Sequence, residues 1–501
     1  MNLLVLPIII PLLAAAVCLL FWKTPALQRW ISFSGTFLSF ISICILFWHV
    51  VNYGPVAIHI GGWQAPIGIN LVADALAVIM LLVCSLVGVC VHLYSIFTRN
   101  ETLEKFGHHP LLQTLLVGVY GSFLTGDIFN LYVSFEIMLI SSFALLSAAN
   151  GKLQIEGAFK YMALNLFGSF MFLAGIGILY GMAGTVNMAD LAVKMSALDD
   201  PSMATATGML FLVAFGLKAA AFPFFSWLPA SYHTPPSAIS AIFAGLLTKV
   251  GVYTVMRFFS LIFVQNIGFT HELIVVMGVL TMIAGIIGAV GQYDIRKILS
   301  FHIVSQIGYM LIGFGMWTEI AIAGAIFYLV HNIIAKTNLF LAAGVINRLQ
   351  GSYHLDYVGG IYRQRPYFSI LFLISALGLA GIPPLSGFFA KIFLIKAGLL
   401  DGRPIVVFLM VFVGLFTLIS MIKIFEKAFW KPVKEGVEIQ PLPGADNPSV
   451  INSMMIPIGI LAVVVVLMGF GAPIVFELCK LAASQMLDPS AYIHAVLGGG
   501  F

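Results

Sequence analysis

Apolar runs of about 20 residues recur from the first turn of the chain to its last fifty residues, separated by short stretches rich in charged residues, Gly and Pro. As a helix, a run of that length crosses a hydrocarbon core about 30 Å thick. The pattern predicts an all-α integral membrane protein with about 14 transmembrane helices. Their approximate positions are 3–22, 30–51, 71–95, 110–126, 128–149, 157–183, 205–229, 235–262, 271–291, 297–316, 320–347, 366–399, 404–426 and 452–477. The first run, Leu3 to Trp22, resembles a secretory leader in its apolarity. It has no basic residue before it and no small-residue cleavage site after it, so it is expected to stay as a spanning helix.

Composition agrees with a lipid environment. Hydrophobic residues make up 61% of the chain and charged residues 9%, against about 25% charged in a soluble domain. The five cysteines, Cys18, Cys44, Cys84, Cys90 and Cys479, lie in apolar runs without CxxC or Cys/His spacing and read as packing residues. The chain has no GxxxxGK[ST] loop, no GxGxxG after a strand and no HExxH. Redox and ATP chemistry within the chain are therefore not expected, and neither a metal, a cofactor nor a nucleic-acid partner is expected.

Charge gives the direction of the spans. Short cytoplasmic loops collect Lys and Arg, and the basic residues alternate: fifteen fall on one set of loops and helix ends, from Lys23 and Arg29 to Lys431 and Lys434, and five on the other, Lys194, Arg257, Lys396, Arg403 and Lys480. The odd-numbered loops are thus expected inside and both termini outside, in a multi-pass protein of the bacterial plasma membrane.

Four of the 24 basic residues remain: Lys218, Lys249, Lys336 and Lys391, each inside an apolar run. A charge at a helix centre costs roughly 2.5 to 3.5 kcal/mol, so four cost on the order of 10 kcal/mol. Glu136 is the acidic counterpart. The competing reading for the lysines is snorkelling to an interface; for Glu136 it is a carboxyl satisfied by a neighbour without any transport role.

Two of these lysines lie where helices should break. Pro223 has no N–H and leaves the carbonyl of Ala219 without its helical partner, one turn beyond Lys218; Pro383 and Pro384 do the same for Leu379 and Ala380, with Gly381 and Gly387 loosening the stretch before Lys391. Broken helices paired between two halves of a membrane chain point to an ion site. The breaks fall on the seventh and twelfth helices, five apart. This predicts two inverted five-helix repeats, helices 4–8 over 110–262 and helices 9–13 over 263–430, after an N-terminal unit at 1–109 and before a last helix and short external tail at 431–501.

Histidines supply candidate links. His331 and Lys336 are five residues apart, about 140° round the helix, and so face different neighbours. His302, Gln306 and Tyr309 share one stripe, which could equally bind adjacent helices. His233 lies in a loop, where it could gate entry or be merely solvated.

Four stretches, SWLPASYHTPPSAISAIFAGLLTKVGVY (226–253), FHIVSQIGYMLIG (301–313), YLVHNIIAKTNLFLAAG (328–344) and GIPPLSGFFAKIFL (381–394), resemble the antiporter-like subunits shared by Mrp-type cation/proton antiporters and respiratory complex I (NADH:quinone oxidoreductase). The resemblance covers nearly the whole chain, and Glu136, Lys218, Lys249, Lys336 and Lys391 fall on that family's charged positions. The longest members continue into a lateral helix or extra domains, whereas about 24 residues follow the last span here, so the large subunit is not expected. QIGYM and HNIIAKTNLFLAAG look closest to the D branch of the Mrp-type Na+/H+ antiporters. The resemblance implies a secondary transporter subunit serving cation and pH homeostasis, with a proton relay through Glu136, Lys218, Lys249, His331, Lys336 and Lys391. It implies other membrane subunits of a hetero-oligomeric complex as partners and H+ and Na+ as the ions, with Li+ or K+ as alternatives. A proton-pumping subunit of complex I or of a membrane-bound hydrogenase is the second reading.

Overall fold

The computed structural model describes residues 2–148, 151–198, 200–434 and 438–498. The chain begins with α1 (Leu6–Leu20), α2 (Pro25–Tyr53), a hairpin of β1 (Val56–His59) and β2 (Asn70–Ala73), α3 (Ala75–Thr98) and the short α4 (Glu101–Lys105). Then come α5 (His108–Leu124), α6 (Ile128–Ser147), α7 (Lys152–Ala183), the short α8 (Met188–Ser196), α9 (Ser202–Ala219) and α10 (Trp227–Ser231). The next span joins α11 (Ser237–Ile242) to α12 (Thr248–Leu261) through a π-helical turn at Phe243–Leu247. It is followed by α13 (Ile267–Val290), α14 (Ile295–Gly315), α15 (Glu319–Gln350), the short α16 (Ile361–Gln364), α17 (Pro366–Ala380) and α18 (Ser386–Leu400). The last elements are α19 (Pro404–Phe425), α20 (Pro448–Phe470), α21 (Ala472–Leu487) and α22 (Ser490–Leu497). Among the described residues, eleven helices are long and apolar enough to cross a membrane, and α1 and α17 are shorter apolar helices.

Helix starts follow from local chemistry. Asp74, Asp127 and Asp294 each present a carboxylate to the free N–H groups of the following first turn, accepting from Ala77, Asn130 and Arg296 at 2.9, 2.7 and 2.8 Å. At the far end of the 32-residue α15, Gly351 takes the left-handed conformation (φ 73°) that stops a helix.

The loops grouped by their charge meet on one face. Arg29 grips Glu104 through two 2.7 Å hydrogen bonds, Arg296 donates to the Pro235 carbonyl at 2.8 Å, and Arg348 donates to the Thr98 carbonyl at 3.3 Å. We call this the basic face. The opposite face carries the hairpin, paired antiparallel with Val56 opposite Ala73, and isolated bridges from Leu71 to Thr125 and Asp127 to Asn187. Residues Asn2–Leu4 and α22 both pack against the hairpin, so the two ends of the described chain share that face.

Two boundaries and the placement of one arginine differ from expectation. The third span was expected from about residue 71, but Asn70–Ala73 pairs as β2 and the helix starts only where Asp74 caps it. The final span stops at Gly471, and the residues beyond it fold as α21, which packs along α15. Arg257, expected in a loop or at a helix end, is buried with a bidentate ion pair to Asp74 at 2.6 and 2.8 Å, and lies over the rings of Tyr253 and Tyr492.

Removing one partner of a buried ion pair leaves the other charge without solvation, at a cost of about 3–5 kcal/mol, whereas removing both costs much less. Arg257→Met should therefore lower the thermal midpoint of the purified protein sharply, and Asp74→Asn combined with it should restore most of the loss.

Candidate functional site

The four lysines end on acceptors inside the bundle. Lys218 lies in the last turn of α9 and donates to the Ser169 hydroxyl of α7 at 2.8 Å, with its ammonium 5.3 Å from the centre of the Phe135 ring. It makes no ion pair with Glu136, which stands next to Phe135 on α6 with Oε1 buried and without a hydrogen-bond partner. The break after Ala219 is filled by protein: Trp227 Nε1 donates to the Leu217 carbonyl at 3.0 Å, and the Phe222 N–H donates to Thr281 Oγ1 at 2.9 Å. The segment beyond this break, α10, is only five residues long.

Lys249 is the second residue after the π turn. A π turn shifts the backbone ladder by one residue and is frequent at functional sites; here the Lys249 ammonium returns to the Ala244 carbonyl at the start of that turn. Lys336, in the middle of α15, donates to the Leu299 carbonyl of α14 at 3.3 Å. His331 faces another way, with Nδ1 2.8 Å from Ser386 Oγ and Nε2 buried without a partner.

The second break separates two fifteen-residue helices. Lys391 on α18 reaches back over it and donates to the carbonyls of Leu379 and Ala380 at 3.1 and 2.7 Å. These carbonyls form the negative end of α17, where a cation is favoured. Lys391 also lies 5.5 Å from the centre of the Tyr309 ring, and Tyr309 donates to the Met410 carbonyl at 2.5 Å. Gln306 accepts from Tyr328, while both ring nitrogens of His302 are buried without partners. His233 lies apart, with Nδ1 2.7 Å from the Pro229 carbonyl; burial and the nearby Lys297 and Arg296 hold its imidazole below the ordinary value.

Glycines set the spacing between these positions. A Cβ on Gly251 would lie 2.5 Å from the Ala219 nitrogen, so the backbone of α12 runs against that of α9 beside Lys218. A Cβ on Gly245 would collide with Thr337 Oγ1, beside Lys336. A Cβ on Gly387 would collide with the Gly378 carbonyl oxygen and lie 2.7 Å from His331 Nε2. Thus α6 packs on α7, α7 on α9, α9 on α12, the π turn on α15, and α15 on α18. Helix axes in contact are about 8–10 Å apart, too far for direct proton transfer between lysines and suited to intervening water. Ser169, the π turn and Trp227 were not picked out from the sequence. Only Trp227 leaves a signal there, a residue with an indole donor close behind a helix-breaking proline.

Residues 125–417, more than half of the chain, match the family described as NADH:quinone oxidoreductase/Mrp antiporter, transmembrane. The chain belongs to that family. Along its length it is 44% identical to the D subunit of the Na(+)/H(+) antiporter of Alkalihalophilus pseudofirmus, over 99% of both chains. Its fold matches a chain of the Mrp complex from Dietzia sp. with a TM-score of 0.90, at 30% identity and over 99% of this chain and 100% of the other. A chain of an archaeal membrane-bound sulfane sulfur reductase superposes with the same TM-score at 26% identity, over 99% and 100%. Within this antiporter-like chain, the lysine-bearing helices α9, α12, α15 and α18 all lie inside the matched region.

Gly387→Ala should lower both the thermal midpoint and the yield of folded protein, because a methyl group there meets backbone and cannot be relieved by a rotamer change. Gly177→Ala on α7, where a methyl group meets nothing within 4 Å, should leave the midpoint unchanged or raise it slightly.

Proposed function

We propose that this chain moves protons sideways through the membrane along Glu136, Lys218, Lys249, Lys336 and Lys391, with His331 as the link at the second break and water filling the gaps. The chain is a membrane subunit of a multisubunit Na+/H+ antiporter, a reading supported by its alignment over full length with named subunits of that kind. The observation that carries the relay is the run of buried ammonium groups on adjoining helices, each held by neutral acceptors rather than by a fixed carboxylate. A lysine so placed can lose its proton without breaking an ion pair. Glu136 is the adjustable element: with its Oε1 free, a small movement of α6 toward α9 would bring the carboxylate to Lys218 and change that lysine's proton affinity.

The two broken helices support the reading of 110–262 and 263–430 as inverted repeats, with the basic face toward the cytoplasm and both termini outside, in the bacterial plasma membrane. The partners are other membrane subunits of the same complex. Sodium is the favoured counter-cation, from the names of the relatives.

Two measurements test this. Vesicles containing the intact complex should exchange sodium for protons with no quinone and no NADH, and Glu136→Ala and Lys218→Ala should each abolish that exchange while the complex assembles. Exchange that needs electron transfer would move the chain to the complex I type. Lys391→Arg keeps the charge but, with a pKa above about 12, removes the exchangeable proton. Exchange should fall by about two orders of magnitude, as for loss of a proton-transfer group; normal exchange in assembled Lys391→Arg complex would exclude Lys391 as a proton carrier.

A further inference from the structure

A cavity of about 620 Å³ opens on the basic face, and three arginines line it: Arg99 at the end of α3, Arg296 in the first turn of α14 and Arg348 in the last turn of α15. Arg296 lies over the Tyr353 ring, 3.6 Å from its centre, and donates to the Pro235 carbonyl at 2.8 Å. Arg348 donates to the Thr98 carbonyl at 3.3 Å. These partners are neutral: among the described residues, the arginines in ion pairs are Arg29, Arg257 and Arg403. Two carboxylates share the lining, Glu101 and Glu104, and Glu104 is already bound by Arg29 through two 2.7 Å hydrogen bonds. Three guanidinium groups therefore share the cavity with one carboxylate that is not neutralised.

The start of a buried helix lines the same cavity. Ser237 and Ala238 open the continuous 25-residue span Ser237–Leu261, and both are part of the lining. Pro236 stands at the N-cap and gives the first turn no side-chain hydrogen bond. The positive end of that span is thus left uncapped at the cavity, where an anion is favoured. His108 adds a separate sign of a missing partner. It is 3% exposed, lines the cavity, and has Nδ1 buried without a hydrogen bond. Its Nε2 is 2.6 Å from Ser95 Oγ; when Ser95 donates there, the ring proton is on Nδ1 and finds no acceptor in the protein.

We propose that this cavity binds a soluble anion carrying one or more phosphate groups. Guanidinium meets phosphate oxygens with paired N–H donors and keeps its charge at any working pH. The volume is in the range of sites for small organic ligands and exceeds what a bare phosphate needs. A lipid headgroup fits less well, because the lining comes from α3 to α5 on one side and from α11, α14 and α15 on the other, which puts the cavity within the end of the bundle. A cation in the last turn of a helix also answers the helix dipole. That accounts for Arg348 alone, and not for Arg296 and an uncapped helix start at the same cavity. The site also bears on the span with the π turn, since Arg296 lines the cavity and holds the Pro235 carbonyl just before that span begins. The proposal does not depend on the relay.

The experiment is thermal unfolding of the purified full-length chain in detergent with inorganic pyrophosphate, against sulfate and chloride at the same ionic strength. A ligand that binds only the folded state raises the midpoint. Pyrophosphate should raise it by about 2 °C or more, and sulfate and chloride by clearly less. Arg348→Gln and Arg99→Gln should keep the unliganded midpoint close to that of the parent chain and lose the pyrophosphate shift. Arg363→Gln, which removes an equal charge from an exposed residue outside the cavity lining, should keep the shift. An equal shift with sulfate, or an equal loss in Arg363→Gln, would mean general charge screening and overturn the site. A shift with dihexanoyl phosphatidylglycerol but not with pyrophosphate would assign the cavity to a lipid headgroup and overturn the soluble ligand. No shift with either probe would also overturn the proposal, and would leave the arginines to an acidic segment of a neighbouring subunit. If Arg348→Gln does not fold, Arg99→Gln decides alone, because Arg99 is exposed and lines the cavity from the rim.

Discussion

Everything in this molecule answers to one constraint: inside hydrocarbon, a polar group must find its partner in the protein, because water does not supply one. The Lys391 ammonium and the carbonyls of Leu379 and Ala380 solve the problem for each other. The break in the helix releases acceptors, and the lysine beyond it needs them. The first break is solved differently, with Trp227 and Thr281 covering the released backbone and Lys218 left to a serine hydroxyl and an aromatic face. Lys218 is therefore the less firmly held of the two, and it lies beside the ring next to Glu136.

The same constraint decided how much could be read from the sequence. The spans were legible because hydrocarbon demands long apolar runs, and the four lysines because they interrupt such runs. The alternation of basic loops was legible too, and the loops it grouped together meet on one face. Pro383 and Pro384 showed which carbonyls would be released, and those are the ones Lys391 binds.

What was not legible depends on packing between distant segments. The π turn at Phe243–Leu247 has no sequence mark, since its residues are as apolar as those of any buried helix. Asp74 was placed inside the third span rather than at its cap, and its pairing with Arg257, 183 residues away, could not be read from either position alone. The β-hairpin was lost for a simpler reason: Leu71, Val72 and Ala73 are apolar and run on into an apolar helix, so the period-2 signal is only four residues long.

The glycine seams have a consequence for how such a chain can change over time. In the relay proposed above, the helix spacing between the charge carriers is set by Gly245, Gly251 and Gly387, none of which carries a charge. Under that proposal, transfer across a water-filled gap is very sensitive to its length, so these three positions would act as set screws on conductance. A relative could keep every lysine and still run faster or slower, or favour one direction of flow, by altering the thickness of a single seam. Comparing relatives by their charged residues alone would overlook that dial.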